Sequence, residues 1–137
     1  MKAQHSITLE IPFEVTSASR PRVTRYGTFY SKNYEAFRKV VGEWLDKQKI
    51  IKLNGAIEAK IIFLMPIPKS WSKKKKEELT DKYCLANKDI DNLQKSVFDV
   101  LQGKAFDNDS QIASVIAKKI WVLGPGHVTV ELEEVEE

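Results

Sequence analysis

The stretch AIEAKIIFLMPIP, residues 56 to 68, is the best candidate in this chain for a central β-strand. It follows the turn signal Asn54-Gly55, first alternates polar with apolar residues, and then becomes continuously apolar. Pro66 and Pro68 end the run. An apolar segment of this length between turn residues is typical of a strand covered by other elements. We therefore predict a sheet with this segment near its middle.

Periodic patterns on either side of the strand predict the other elements. Alternating apolar residues predict a strand over 6–15, and apolar residues at helical spacing predict an amphipathic helix from Lys32 to Lys49, with Ser31 or Asn33 as its cap. The segment between them, TSASRPRVTRYGTFYS, is typical of a loop or short hairpin.

A helix capped by Ser72 is predicted at 70–82, with Trp71 as its core anchor, and a second helix at 89–104. Two strands joined by the turn LGPGH are predicted at 111–123 and 127–135. The buried stripe of the second helix is expected to comprise Leu93, Val97, Val100 and Leu101.

The resulting order of elements is β-α-β-α-α-β-β. Such an order predicts an α+β fold, with a mixed β-sheet of about four strands packed with helices. No repeat or linker divides the sequence, so residues 1–137 are expected to form a single domain.

Composition removes several classes of function. Cys84 is the single cysteine and there are two histidines, which argues against a disulfide framework, a zinc site or a histidine-rich metal site. The longest apolar run, IIFLM, is far too short to cross a bilayer, and the N-terminus has no apolar signal region. A cytoplasmic location without membrane contact is therefore expected. No phosphate-binding glycine loop is visible, so no nucleotide cofactor is expected.

The segment KDIDNLQK, residues 88 to 95, places two carboxylates at the start of a predicted helix. One interpretation is structural: Asp91 caps the helix and Lys95 pairs with it. The other is a divalent-metal site, because two carboxylates held close together repel each other unless a cation relieves them. Oxygen ligands without Cys or His favour Mg²⁺, with Mn²⁺ as a substitute. A second acidic segment, DND at 107–109, follows the helix.

Positive charge is concentrated in the first part of the chain. Residues 1–80 hold sixteen Lys and Arg against eight acidic residues, whereas residues 81–137 hold six against eleven. Two basic segments are candidates for contacts with phosphate, although each is also compatible with an ordinary solvated surface. Their residues are Arg20, Arg22 and Arg25 beside several aromatic residues, and Lys73, Lys74, Lys75 and Lys76 at the start of a helix.

Four segments of the sequence resemble the RusA family of Holliday-junction resolvases, especially its prophage-type members. The most specific are DIDNLQKSVFDVL at 89–101 and DNDSQI at 107–112. RPRVTRYGTFYS and IPKSWSKKKK support the resemblance, which spans nearly the whole chain in the expected order. Asn108 and Lys88 depart from residues that are common in the family.

The resemblance implies a Mg²⁺-dependent endodeoxyribonuclease of DNA recombination and repair that acts as a homodimer on four-way junctions. It implies that Asp89, Asp91 and Asp109 are the metal-binding aspartates and that Lys95 is the catalytic lysine. Asp109 is preferred over Asp107 because its neighbours Ser110 and Gln111 match the family segment. Paired nicks in two equivalent strands suit two equivalent subunits.

Two other functions remain open from the residues alone. The chain could be a nuclease for flaps or other branched DNA, or a DNA-binding accessory protein in which the acidic cluster is structural.

Overall fold

The computed structural model describes residues 3–19 and 22–135. Four of the described strands form one mixed sheet: β1 (Ala3–Ile11), β4 (Ile57–Pro66), β5 (Ile112–Val122) and β6 (His127–Val135). Their spatial order is β1-β6-β4-β5. β6 is antiparallel to both β1 and β4, while β5 is parallel to β4. The α+β class and the mixed sheet of four strands are confirmed.

The central strand, β4, supplies the middle of the core. Ile57, Ala59, Ile61, Phe63 and Met65 are buried, and the alternating positions are more exposed. This period of two means that one face of β4 is covered and the other is open. Because the buried residues of the long helices join the same apolar cluster, the helices cover that single face.

The described residues form three α-helices, α1 (Lys32–Asp46), α2 (Lys73–Leu79) and α3 (Ile90–Leu101). Ser31 caps α1 by accepting a hydrogen bond from the Tyr34 amide at 3.3 Å, which decides between the two predicted caps. Ser72 caps α2 as predicted. The predicted apolar stripe of α3 is buried, and it comprises Leu93, Val97, Val100 and Leu101.

The predicted loop or hairpin between β1 and α1 is a hairpin. β2 (Arg22–Thr24) and β3 (Gly27–Phe29) form a separate two-stranded antiparallel sheet. With this hairpin added, the order of the remaining strands and helices is the predicted one. No helix in the two described ranges is long and apolar enough to span a membrane.

The turn between β5 and β6 does not make a hairpin, contrary to what its sequence suggests. β4 lies between the two strands, so the turn passes over the end of β4. Gly126 permits this close crossing. A Cβ atom on Gly126 would lie 2.8 Å from Cδ of Pro66 and 3.0 Å from Cγ of Glu14.

This crossing yields a stability prediction. Gly126→Ala should lower the free energy of unfolding by about 1–3 kcal/mol, because the added methyl group overpacks the turn against Pro66. Gly42→Ala is the matched control, since Gly42 lies inside α1 with open space around it. That change should instead stabilise the protein by roughly 0.5–1 kcal/mol through helix propensity. Urea unfolding midpoints measure both effects. Equal stability of the two variants would contradict the close crossing.

Candidate metal centre and nucleic-acid interface

Asp89 and Asp91 lie where an irregular segment enters α3. Asp89 is the N-cap residue, but its side chain makes no capping hydrogen bond, and Asp91 lies in the first turn. Both are exposed. In the described part of the chain, neither carboxylate takes part in a salt bridge or a side-chain hydrogen bond, so the expected Asp91–Lys95 pair is not formed. These two carboxylates are therefore available to an external ligand.

The two carboxylates line one open surface cavity of about 780 Å³. The irregular segment from Tyr83 to Asp91 forms one wall, and Ala117 to Lys119 of β5 form the other. The cavity places negative charge beside a lysine-bearing strand.

Lys119 holds the irregular segment in place. Its ammonium group donates hydrogen bonds to the backbone carbonyl of Lys88 at 2.7 Å and to that of Ala86 at 3.3 Å. A backbone hydrogen bond connects the same two elements, because the Cys84 amide donates to the Lys119 carbonyl at 2.9 Å. These bonds tie the residue before Asp89 to β5. Charge-assisted hydrogen bonds of this kind are stronger than neutral ones.

Sequence reasoning did not identify Lys119. Lys118 and Lys119 are neighbouring lysines, so residue type alone does not show which of them bonds to the irregular segment. The sequence does contain one signal, the period of two along a strand. Lys119 lies two residues before the buried Trp121 and is therefore on the same face of β5. A lysine on the covered side of a strand needs acceptors, and the two carbonyls supply them.

Lys95 lies one helical turn after Asp91 and is exposed. Asp99, one turn further on, accepts a hydrogen bond from the hydroxyl of Tyr34 on α1. Burial, and then this hydrogen bond, raise the pKa of Tyr34 well above its usual range, so Tyr34 stays protonated. The carboxylate of Asp99 is therefore occupied by a hydrogen bond that links α1 to α3. Lys95 forms no ion pair with any described residue and remains available for a ligand.

Asp109 opens a short 3₁₀ helix, η1 (Asp109–Gln111), just before β5. Asn108 and Gln111 form a capping box around this turn. The Asp109 amide donates to the side-chain oxygen of Gln102 at 3.1 Å. By contrast, the carboxylate of Asp107 is paired with Lys52 at 2.8 Å. Asp109 is therefore the less committed carboxylate of the two.

A single chain does not bring Asp109 to Asp89 and Asp91. Gln102, which contacts Asp109, ends α3, whereas Asp89 begins it. A helix of 12 residues separates the two ends by about 18 Å. Accordingly, no group of three acidic, histidine or cysteine side chains suited to a metal occurs within residues 3–19 and 22–135.

The lysines of α2 differ in their surroundings. Lys75 lies over the ring of Trp71, 3.8 Å from its centroid, and Lys76 donates to the carbonyl of Lys69 at 2.9 Å. Trp71 packs against Trp121, which confirms its expected role as a core anchor. Lys73 and Lys74 are exposed.

Arg22 and Arg25 lie on the β2–β3 hairpin and are exposed. Arg20, the third predicted arginine, lies outside the described residues. The two basic segments are thus on the surface wherever the structure describes them, as a contact with a polyanion requires.

Comparison with known proteins identifies the class. Residues 12–133 match the sequence pattern of a family of endodeoxyribonucleases. That family is described as endodeoxyribonuclease RusA, and the chain belongs to it. The match covers most of the chain and confirms the resemblance seen in the sequence. No curated protein sequence matches the chain.

The anchoring of the irregular segment can be tested directly. Lys119→Met keeps the length of the side chain but removes the donors to the Ala86 and Lys88 carbonyls. We expect faster amide hydrogen exchange in residues 84–90, by about tenfold or more, because each lost charged hydrogen bond is worth roughly 1.5–3 kcal/mol. The control is Lys49→Met, which makes the same substitution at an exposed lysine outside the irregular segment. Unchanged exchange in Lys119→Met would mean that the segment is held by other contacts.

Proposed function

We propose that this protein is a metal-dependent endodeoxyribonuclease that resolves four-way DNA junctions by paired, symmetric nicks. The observation that carries the proposal is the pair of uncommitted carboxylates, Asp89 and Asp91, with Lys95 one turn away on the same helix. Membership of the RusA endodeoxyribonuclease family supports the same chemistry.

The residues present suit Mg²⁺ or Mn²⁺. Hard divalent cations prefer carboxylate oxygens, and Asp89 and Asp91 offer them without competing internal partners in the described structure. Asp109 is the third proposed ligand. When bound, such an ion lowers the pKa of a coordinated water and offsets negative charge on the phosphoryl group.

Lys95 is the proposed catalytic residue of the chain itself. Its exposed ammonium group has no internal ion pair among the described residues, so it can approach a phosphate placed at Asp91. A fixed cation there stabilises the negative charge that develops as the phosphodiester bond is hydrolysed. Lys119 contributes indirectly by holding the backbone ahead of Asp89.

The basic segments are proposed to hold the DNA backbone. Lys73 and Lys74 extend from α2, which is anchored through Trp71 to Trp121 near the end of β5. Arg22 and Arg25 extend from the hairpin, and Arg20 precedes it in the sequence. We assign Lys75 and Lys76 weaker contacts with DNA, because part of their bonding capacity is used internally. Contacts of this kind supply affinity without reading sequence.

The distance from Asp109 to the other aspartates supports a homodimer. If the metal needs all three carboxylates, Asp109 has to come from a second copy, because α3 separates it from Asp89 within one chain. A twofold axis would build two such shared sites at once. Two sites in one dimer match the two opposed cuts that resolve a junction.

The edge of β5 offers a way to form this dimer. The peptide groups of Lys119 and Trp121 point away from β4, since they bond to Cys84 and Lys82. Val115 and Ala117 share their parity, so their peptide groups face the open edge of the sheet. Exposed apolar side chains, those of Ile116, Tyr83 and Leu85, lie on and beside β5.

An antiparallel pairing of two β5 strands would reunite the aspartates. In such a pairing, the beginning of one strand lies beside the end of the other. The partner's η1, which precedes its β5, would then approach the cavity lined by Asp89, Asp91 and Lys119. We propose that the third carboxylate of each site reaches it in this way.

The proposed activity is tested by incubating the protein with labelled four-way junction, flap and linear duplex, with and without Mg²⁺. We expect paired nicks in the junction only when the metal is present. Asp91→Asn should keep junction affinity within about threefold but lose cleavage by at least a hundredfold, since the change removes a ligand charge and little volume. Preferred cutting of flaps would support the related branched-DNA nuclease, and binding without any cutting would support an accessory protein.

The shared site is tested with mixed dimers of Asp91→Asn and Asp109→Asn chains. If each site uses Asp91 of one chain and Asp109 of the other, a mixed dimer has one site with both changes and one intact site. Junctions should then be nicked in one strand, although neither variant nicks by itself. Purification through two different tags isolates the mixed dimer. If each site lies within one chain, both sites carry a change and the mixed dimer stays inactive, which would contradict the proposal.

A further inference from the structure

The described apolar side chains of the β2–β3 hairpin, those of Val23 and Tyr26, do not belong to the hydrophobic core. Within the described residues its strands pair with each other, in the register Arg22 with Phe29 and Thr24 with Gly27. All the described side chains from 22 to 28 are exposed. Val23 and Tyr26 each have 77% of their surface accessible.

The tip presents a flat, cationic surface. The guanidinium carbon of Arg25 lies 4.9 Å from the centroid of the Tyr26 ring, and the guanidinium donates to the Tyr26 hydroxyl at 2.8 Å. The Tyr26 amide donates to the Thr24 hydroxyl at 3.1 Å, which fixes the turn. Arg25 lies over the ring, and most of the Tyr26 surface remains accessible. An aromatic face beside an arginine suits a nucleic-acid base next to its phosphate.

The base of the hairpin lies beside the candidate metal ligands. The Ala18 amide, just before the hairpin, donates to the carbonyl of Asn92 at 3.2 Å. Just after it, Tyr30 packs edge-on against Tyr34, with ring centroids 5.7 Å apart, and Tyr34 bonds to Asp99. The chain before the hairpin thus contacts α3 directly, next to Asp91, and the chain after it is linked to α3 through Tyr34 of α1. DNA bound at those residues would lie within reach of the tip.

From these observations we infer that the hairpin tip is a wedge that recognises unstacked bases at the branch point of the DNA, with Tyr26 stacking on a base and Arg25 contacting the adjacent phosphate. The inference rests on the proposed function and adds to it a means of structural selectivity. Continuous duplex keeps its bases stacked and offers no open face to Tyr26. At a branch point stacking is interrupted, so the cost of exposing a base is lower.

The inference is tested by photo-crosslinking in metal-free buffer, where binding is separated from cleavage. A four-way junction carries 5-iodouracil at the branch point, and a duplex carries it within continuous sequence. We expect a crosslink to Tyr26, located by mass spectrometry, with the junction and not with the duplex. In a parallel binding assay, Tyr26→Ala should reduce the preference for junction over duplex by about tenfold, as expected for the loss of one stacked base.

Two matched variants separate stacking from other roles. Tyr26→Phe keeps the ring and should retain most of the preference, whereas Tyr26→Leu keeps apolar bulk without a flat face and should lose it. Unchanged preference in Tyr26→Ala, with no crosslink at Tyr26, would overturn the wedge and leave the nuclease proposal standing. If Tyr26→Ala alters dimer formation instead of DNA selectivity, the tip is a protein contact and the wedge is likewise overturned.

A third DNA separates the wedge proposal from the proposal that four-way junctions are the substrate. It is a flap that carries 5-iodouracil at its branch point. Crosslinking of Tyr26 to the flap but not to the four-way junction would keep the wedge but assign it to flap DNA, and the cleavage assay decides separately whether the four-way junction is a substrate. Absence of a Tyr26 crosslink from all three DNAs would reject the wedge whatever the cleavage assay shows.

Discussion

The hydrogen bonds of Lys119 are the constraint on which the candidate centre depends. They attach the segment before Asp89 to β5, the strand that directly follows the turn containing Asp109. The burial of Leu93 and Val97 and the bond from the Ala18 amide to the Asn92 carbonyl hold the start of α3, whereas the Lys119 side chain holds the backbone directly before Asp89. The lysine thus links the central sheet to the carboxylates.

The same strand imposes a second constraint, because α3 runs back along β5. Lys119 lies near the beginning of the helix, and Asp109 lies near its end. An arrangement that separates three candidate ligands within one chain is readily explained if two chains share each centre. The open edge of β5 and the exposed apolar residues beside it are consistent with such sharing. In this account, assembly and metal binding are coupled, because ligands from two chains are needed.

Much of the fold could be predicted because its signals are local. The apolar run of β4, the caps Ser31 and Ser72, and the buried stripe of α3 each follow from residues close together in the sequence. The position of β4 between β5 and β6 could not be predicted in this way, since the short turn before His127 favours a hairpin. Strand order depends on contacts between distant segments, which a periodic pattern does not encode.

The candidate site likewise has one part that the sequence suggests and another that depends on tertiary structure. One short segment supplies the candidates Asp89, Asp91 and Lys95, and the family resemblance favours Asp109 over Asp107, whose carboxylate pairs with Lys52. Lys119 and the distance to Asp109 depend on tertiary structure. The most direct test of a metal centre shared between two chains is Mn²⁺ binding, monitored by electron paramagnetic resonance across a range of protein concentrations. The account predicts that tight binding appears together with the dimer and is lost in Asp109→Asn; equally tight binding by the monomer would contradict it.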